Sequence, residues 1–138
     1  TPNLTIHLGH FLESNVYMPY VNPPVDGHNT AFVKKTEEKG SDVNLATYLL
    51  LDGFRGDYEA AIVISNDSDL MEPVRIVRRE LGLNVVMLMP CGPRSTPSIQ
   101  LRKVANKHKI ISTAALAASQ FPPVLYDSTG KITKPASW

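Results

Sequence analysis

Five consecutive polar residues, Ser65-Asn66-Asp67-Ser68-Asp69, follow the apolar run Ala60-Ala61-Ile62-Val63-Ile64. Two carboxylates two residues apart at a backbone corner repel each other unless a cation lies between them, and hard divalent ions such as Mg²⁺ favour such oxygens. The pattern points to metal-dependent phosphoryl chemistry. Asp69 also has a structural use: it can cap a following helix, with Glu72 three positions on completing a capping box. A cap needs one polar residue, whereas this corner supplies five, so Asp67 is left for a ligand. Asp42 opens a helix that precedes the apolar run, and a short return brings its carboxylate to the same corner. Taken alone, Asp42 reads equally well as a favourable charge at a helix N-terminus. With Asp67 and Asp69 it makes three acids, an oxygen cage for one or two Mg²⁺ or Mn²⁺ ions.

Other chemistries lose support. His7 and His10 are three apart in an expected strand and point to opposite faces, and no His-x-x-x-His spacing occurs, which disfavours zinc. The single cysteine, Cys91, excludes an internal disulfide framework and a cysteine-rich zinc site. No Gly-rich phosphate loop is present, so no nucleotide cofactor is expected, and no Gly-x-Ser-x-Gly elbow supports acyl transfer.

The elements that must position the acids follow from periodicity. Residues 4–11 alternate as a strand, 17–21 read as extended, and 22–29 carry turn residues, including Asp26-Gly27, before a strand over 31–35; together these make a loose hairpin. Ser41 is expected to cap a helix that ends at Gly53. The run 60–65 lacks alternation, the mark of a parallel strand buried on both faces and flanked by helices. A helix over 68–81 closes at Gly82, with Val74, Val77 and Leu81 toward the core. Residues 85–89 form a second buried strand, and 97–107 a helix with Leu101, Val104, Ala105 and His108 aligned. A short strand at 109–112 and a small helix at 113–119 complete the series. This order predicts an α/β fold with a mainly parallel sheet between helices, whose ligands lie beyond the C-terminal strand ends. Residues 1–120 are expected to form the domain and 121–138 an extended arm or hairpin.

At 138 residues the chain is about one domain long. No apolar run approaches the roughly 20 residues of a membrane span, and a reducing, cytoplasmic setting fits the lone cysteine. Charge is unevenly distributed: residues 1–90 hold 7 Lys and Arg against 12 Asp and Glu, whereas residues 91–138 hold 7 against Asp127 alone. Such asymmetry suits an acidic metal pocket beside a basic surface for a polyanion, and equally an ordinary solvated face.

The blocks Lys39-Gly40-Ser41-Asp42 and Ser65-Asn66-Asp67-Ser68-Asp69 together resemble the NYN branch of PIN-like nucleases. The resemblance covers most of the chain and is weakest from Phe121 onward. It implies a Rossmann-like, three-layer sandwich and a metal-dependent endoribonuclease. Asp42, Asp67 and Asp69 would hold Mg²⁺ or Mn²⁺, which activates water for in-line attack on an RNA phosphodiester and stabilises the departing oxygen. Ser65 and Asn66 would contact phosphate or support the ligands. Lys39, Arg75, Arg78, Arg94, Arg102 and Lys103 would meet the RNA backbone.

Members of this family usually open with an apolar strand ending in an aspartate, followed by glycine and, a residue later, asparagine. Asp26-Gly27-His28-Asn29 copies those letters, but it follows Pro23-Pro24 and reads as a hairpin turn. The chain is therefore expected to lack the first strand and helix, and a homodimer is expected to cover the sheet edge this leaves. Two other readings remain open. One is a catalytically incomplete module of the same fold that binds RNA or protein. The other is a nucleotide-sugar transferase using Asp67-Ser68-Asp69 as its metal-diphosphate motif.

Overall fold

A computed structural model of the chain describes residues 3–25, 27–92 and 95–137. The turn residue Asp26 and the phosphate-contact candidate Arg94 lie outside the described residues.

Two long strands come first: β1 (His10–Pro19) pairs antiparallel with β2 (Thr30–Lys39) along its whole length, His10 opposite Lys39 and Pro19 opposite Thr30. The expected hairpin is present, but its first strand begins at His10, and residues 4–9 are extended without pairing. Alternation at 4–8 is satisfied differently. That segment leans on the following helix through the stacked rings of His7 and Tyr48, and Asn44 donates to the Leu8 carbonyl at 3.3 Å.

The helix α1 (Ser41–Arg55) starts at Gly40, whose φ of 99° is open to glycine at little cost. Ser41 is not the cap. Its backbone N–H and its hydroxyl both donate to Glu38 Oε1, at 3.2 and 2.8 Å, so a carboxylate from the preceding strand does the capping. Gly53 does not end the helix either; Gly56 does, in a left-handed conformation with its N–H donating to Asp52 and Gly53 carbonyls. Gly53 is buried within the last turns, where a side chain would come within 2.7 Å of Tyr58 Oη and 2.9 Å of Leu81 Cδ1. Close packing, not termination, explains that glycine.

Three strands then form a parallel sheet in the order β3 (Ala60–Ile64), β4 (Asn84–Met89), β5 (Lys107–Ile110), in register Val63 with Met87 and Met87 with His108. Between β3 and β4 the chain makes one 3₁₀ turn, Ser68–Leu70, and the helix α2 (Met71–Arg79). Between β4 and β5 it makes only the six-residue α3 (Ile99–Val104), because Ala105 already turns extended and Asn106 clamps β4: Val85 N–H donates to Asn106 Oδ1 at 2.8 Å and Asn106 N–H to the Val85 carbonyl at 2.9 Å. His108, expected on the helix, therefore sits exposed in β5.

The core lies on one face of this sheet. Val63, Val85, Met87 and Met89 are buried against Leu49 of α1, Leu70, Val74 and Val77 around α2, and Leu101 of α3. Each such fully buried apolar side chain stabilises the fold by about 1.5–3 kcal/mol. Among the described residues the other face carries no full layer of helices. Ile62 and Ile64 on it remain 67% and 61% exposed. The helix α4 (Thr113–Ala118) reaches only its C-terminal end, where Ala115 and Leu116 join Ile64 and Leu88 around a cleft of about 480 Å³. The run 60–64 lacks alternation because both its faces are apolar, yet the described residues bury only one. Finally, β6 (Val124–Asp127) and β7 (Gly130–Thr133) close a small hairpin.

Candidate acidic site at the end of β3

The polar corner begins where β3 still follows the ladder: Ser65 N–H donates to the Leu88 carbonyl at 3.1 Å. The next residues fold back on themselves. Asp67 N–H donates to Ser65 Oγ at 3.1 Å, and Asp69 N–H donates to Asp67 Oδ1 at 3.0 Å. Asp67, not Asp69, caps the 3₁₀ turn. Glu72 completes no capping box; it pairs with Arg75, whose Nε lies 2.7 Å from Glu72 Oε2.

Asn66 bridges outward. Its Nδ2 donates to the Thr96 carbonyl at 3.0 Å, and its Oδ1 accepts from Ser98 N–H at 2.8 Å. Ser98 in turn caps α3, its Oγ accepting from Leu101 N–H at 3.3 Å. The acidic corner and the entry to α3 are thus one hydrogen-bonded unit.

Asp42, at the start of α1, feels the charges of this corner. Its carboxyl is held above the usual aspartate range, first by partial desolvation at the mouth of α1 and then by the charges of Asp67, Glu38 and Asp69. Four carboxylates therefore share one field. Asp42 and Asp69 are exposed, and among the described residues neither side chain accepts a hydrogen bond; Asp67 keeps Oδ2 available. The donors suit a hard divalent cation by type. Their convergence falls short: among the described residues, no three His, Cys, Asp or Glu side chains sit close enough to enclose a metal ion.

Glu38 was not singled out by its sequence context. The available signal was a side-chain acceptor three residues before Ser41 at a helix start whose cap, Gly40, has no side chain to offer. Gly9 belongs to the same unit, since a Cβ there would overlap the Glu38 carboxylate and come within 2.6 Å of Ser41 Oγ.

Among the described residues, the basic candidates on α2 and α3 do not gather around the acids. Lys39 is nearest in the chain, but its Nζ lies 3.6 Å from Glu37, whose carboxyl Lys35 and Lys39 hold below the ordinary range. Arg75 is engaged by Glu72. Since α2 and α3 run back against the strands, their last turns lie at the opposite edge of the sheet from Asp67. There Arg78 Nη1 donates to the Val104 carbonyl at 3.1 Å, Arg102 Nε donates to His108 Nε2 at 3.2 Å, and Lys103 is exposed.

A parallel sheet carrying helices on one face, with an acidic corner beyond a strand's C-terminal end, defines a mixed α/β protein of the kind that binds ligands at strand ends. Residues 9–113 match the NYN domain, and the chain belongs to this PIN-like family. It is also 33% identical over 106 residues to 6-hydroxy-3-succinoylpyridine 3-monooxygenase HspA of Pseudomonas putida (strain DSM 28022 / S16), a match covering 75% of this chain and 34% of HspA. The chain thus spans about a third of that relative. A crystal structure of VPA0982, a protein of unknown function from Vibrio parahaemolyticus RIMD 2210633, aligns with a TM-score of 0.47 at 19% identity, covering 70% of this chain and 51% of that one. Family membership points to a nuclease-like function, and PIN-like nucleases generally use divalent metals.

No helix among the described residues is long and apolar enough to cross a membrane.

Proposed function

We propose that this chain is a metal-dependent endoribonuclease domain that hydrolyses RNA phosphodiester bonds at the corner formed by Asp42, Asp67 and Asp69. The observation that carries the reading is membership of the NYN family, with an acidic corner at the end of β3 where the Asp42 carboxyl is raised first by desolvation and then by the charges of Asp67, Glu38 and Asp69. Mg²⁺ or Mn²⁺, when bound, supplies Lewis-acid polarisation of a phosphoryl oxygen and lowers the pKa of water. The chain's own part is to fix the donors. Asp67 is oriented by its bond to Asp69 N–H, Asp42 by the Glu38-capped start of α1, and the loop as a whole by Asn66. Ser65 and Lys39 are the substrate-side residues nearest this corner in the chain, while Asn66, whose amide is hydrogen-bonded to Thr96 and Ser98, supports the ligands. Arg75, Arg78, Arg102 and Lys103 would serve an RNA strand only as it continues past the site, and Arg94 stays a candidate for the RNA backbone. The Rossmann-like three-layer arrangement belongs to the same reading and requires cover over Ile62, Ile64, Val86 and Leu88. A homodimer and a cytoplasmic setting without a nucleotide cofactor complete it.

Asp67→Asn tests the proposal cleanly, because Asn retains the Oδ1 acceptor that caps the 3₁₀ turn. Cleavage of RNA with Mn²⁺ or Mg²⁺ should be abolished while the melting temperature holds. Cleavage equal to the parent chain refutes the assignment.

A second reading, a catalytically incomplete NYN module that binds RNA or a protein, is favoured by the shortfall in carboxylate convergence. Salt-sensitive RNA binding without metal-stimulated cutting distinguishes it. HspA is named for oxygenation of a pyridine. The shared segment is a third of that protein, which leaves its named activity without a specific residue to carry it here.

A further inference from the structure

The antiparallel ribbon of β1 and β2 is about 34 Å long at about 3.4 Å per residue, and among the described residues no other element packs along it to a comparable extent. A two-stranded ribbon left to itself is marginally stable in water, so one of this length calls for a further contact. Its two faces differ. On one, Ser14, Val16, Ala31, Val33, Lys35 and Glu37 are half-buried, and Lys35 Nζ lies 2.7 Å from Glu37 Oε1. The ribbon's own side chains cover that face. On the other, every position is exposed, including Phe11 at 76%, Tyr17 at 72% and Phe32 at 61%. Tyr17 and Phe32 are directly opposite each other in the ladder, their ring centroids 4.8 Å apart.

The order of residues on the exposed face repeats about its own centre, the rung of Ser14 and Lys35. Phe11 precedes Ser14 by as many positions as Tyr17 follows it, and Glu13 and the rung of Asn15 and Lys34 lie one step to either side. Glu13 and Lys34 already attract one another diagonally, at 3.0 Å. Turned over a two-fold axis that crosses the strands at this rung, a second ribbon sets Phe11 of each copy on Tyr17 of the other. Glu13 of each then lies a diagonal step from Lys34 of the other, and the two bodies stand at opposite ends. Covering the exposed two thirds or so of three rings on each copy removes roughly 600–1,000 Å² from water. The stems of Glu13, Lys34 and Thr36 bring this toward the roughly 1,200 Å² at which specific interfaces begin. A foreign partner has no reason to match a pattern that is complementary to itself.

We propose that the exposed face of the β1–β2 ribbon is the contact between two copies of this chain. This places the homodimer on the ribbon instead of the margin of β3, and it holds whether or not the acidic corner cuts RNA. The contact also lays Tyr17 of the second copy over the rung of Phe11 and Glu38, the carboxylate that caps α1 just ahead of Asp42.

The test is sedimentation equilibrium of the full chain from about 1 μM to about 1 mM, where an interface of this size should give the mass of two chains with a Kd of about 1–100 μM. Tyr17→Ala and Phe32→Ala should each raise Kd at least about tenfold. Glu13→Lys and Lys34→Glu, each alone, should also weaken the dimer, because each aligns like charges across the axis. Mixing those two variant chains should restore the mass of two chains. The bridge within each ribbon is broken in both variants and remains broken on mixing, so the recovery reports a contact between copies and not a repaired fold. A monomer at every concentration overturns the proposal, as does an unchanged Kd in both aromatic variants. So does a mixture no heavier than its components. A dimer lost in Ile62→Asp and intact in the aromatic variants puts the contact on β3 and overturns it as well.

Discussion

Replacing Asn66 with alanine separates a substrate-binding role from a structural one. The side chain makes two hydrogen bonds, to the Thr96 carbonyl at 3.0 Å and from Ser98 N–H at 2.8 Å, in a half-buried position. A net worth of about 0.5–1.5 kcal/mol for each bond gives a loss of about 1–3 kcal/mol. For a domain of this size that is a fall in Tm of about 4–12 °C, followed by circular dichroism. Asn66→Asp sharpens the test. Aspartate keeps the acceptor for Ser98 N–H but turns a second oxygen toward the Thr96 carbonyl and adds charge beside Asp67. It should lose at least as much stability at neutral pH and regain part of it in acid. RNA affinity, measured well below the transition, should change less than about threefold in Asn66→Ala, under 1 kcal/mol. A Tm within about 1 °C of the parent, together with a large loss of RNA affinity, would refute the structural role and return Asn66 to the substrate.

Gly53→Ala should destabilise the protein even though alanine favours helix by about 1 kcal/mol. The new methyl meets Tyr58 Oη at 2.7 Å, an atom tethered by its 2.6 Å bond to the Leu49 carbonyl, so overpacking costs about 1–3 kcal/mol and outweighs the gain; a guanidinium midpoint that rises contradicts this packing. Asp42 predicts a pH effect of unusual sign for a carboxylate. Its native pKa is raised, so the folded state holds its proton more tightly than the unfolded chain and stability declines as pH rises from the ordinary aspartate range through the raised value. Asp42→Asn should flatten that limb and leave the protein equally or slightly more stable at neutral pH, by no more than about 0.5 kcal/mol once solvent screening is counted. Urea midpoints across that pH range check both statements.

Much of the parallel unit was legible because local chemistry and tertiary packing agree there. Val74 and Val77 follow helical spacing and are buried, and the second buried strand is present. The errors arise where one residue type serves two purposes. Gly53 resembles a helix stop, but its missing side chain makes room for Tyr58 and Leu81. Ser41 resembles a cap, but the true acceptor, Glu38, comes from outside the helix, and no local pattern encodes a cap supplied by a preceding strand. A run with no alternation reports apolar faces without reporting whether anything covers them, so the sequence of β3 does not distinguish one covering layer from two. The basic residues were grouped by charge alone, whereas the direction of α2 and α3 sends Arg78 and Arg102 to the far edge of the sheet.

The exposed flank of β3 has a colloidal consequence. A net charge of +1 provides almost no mutual repulsion between molecules, so little holds two copies apart once they collide. An uncovered strand margin with Ile62 and Ile64 standing out from it is the kind of surface on which further strands nucleate. The concentration at which this chain remains dispersed therefore depends on where its apolar side chains are exposed, this strand among them, and acidity or salt chosen for the charged corner acts on that limit only indirectly.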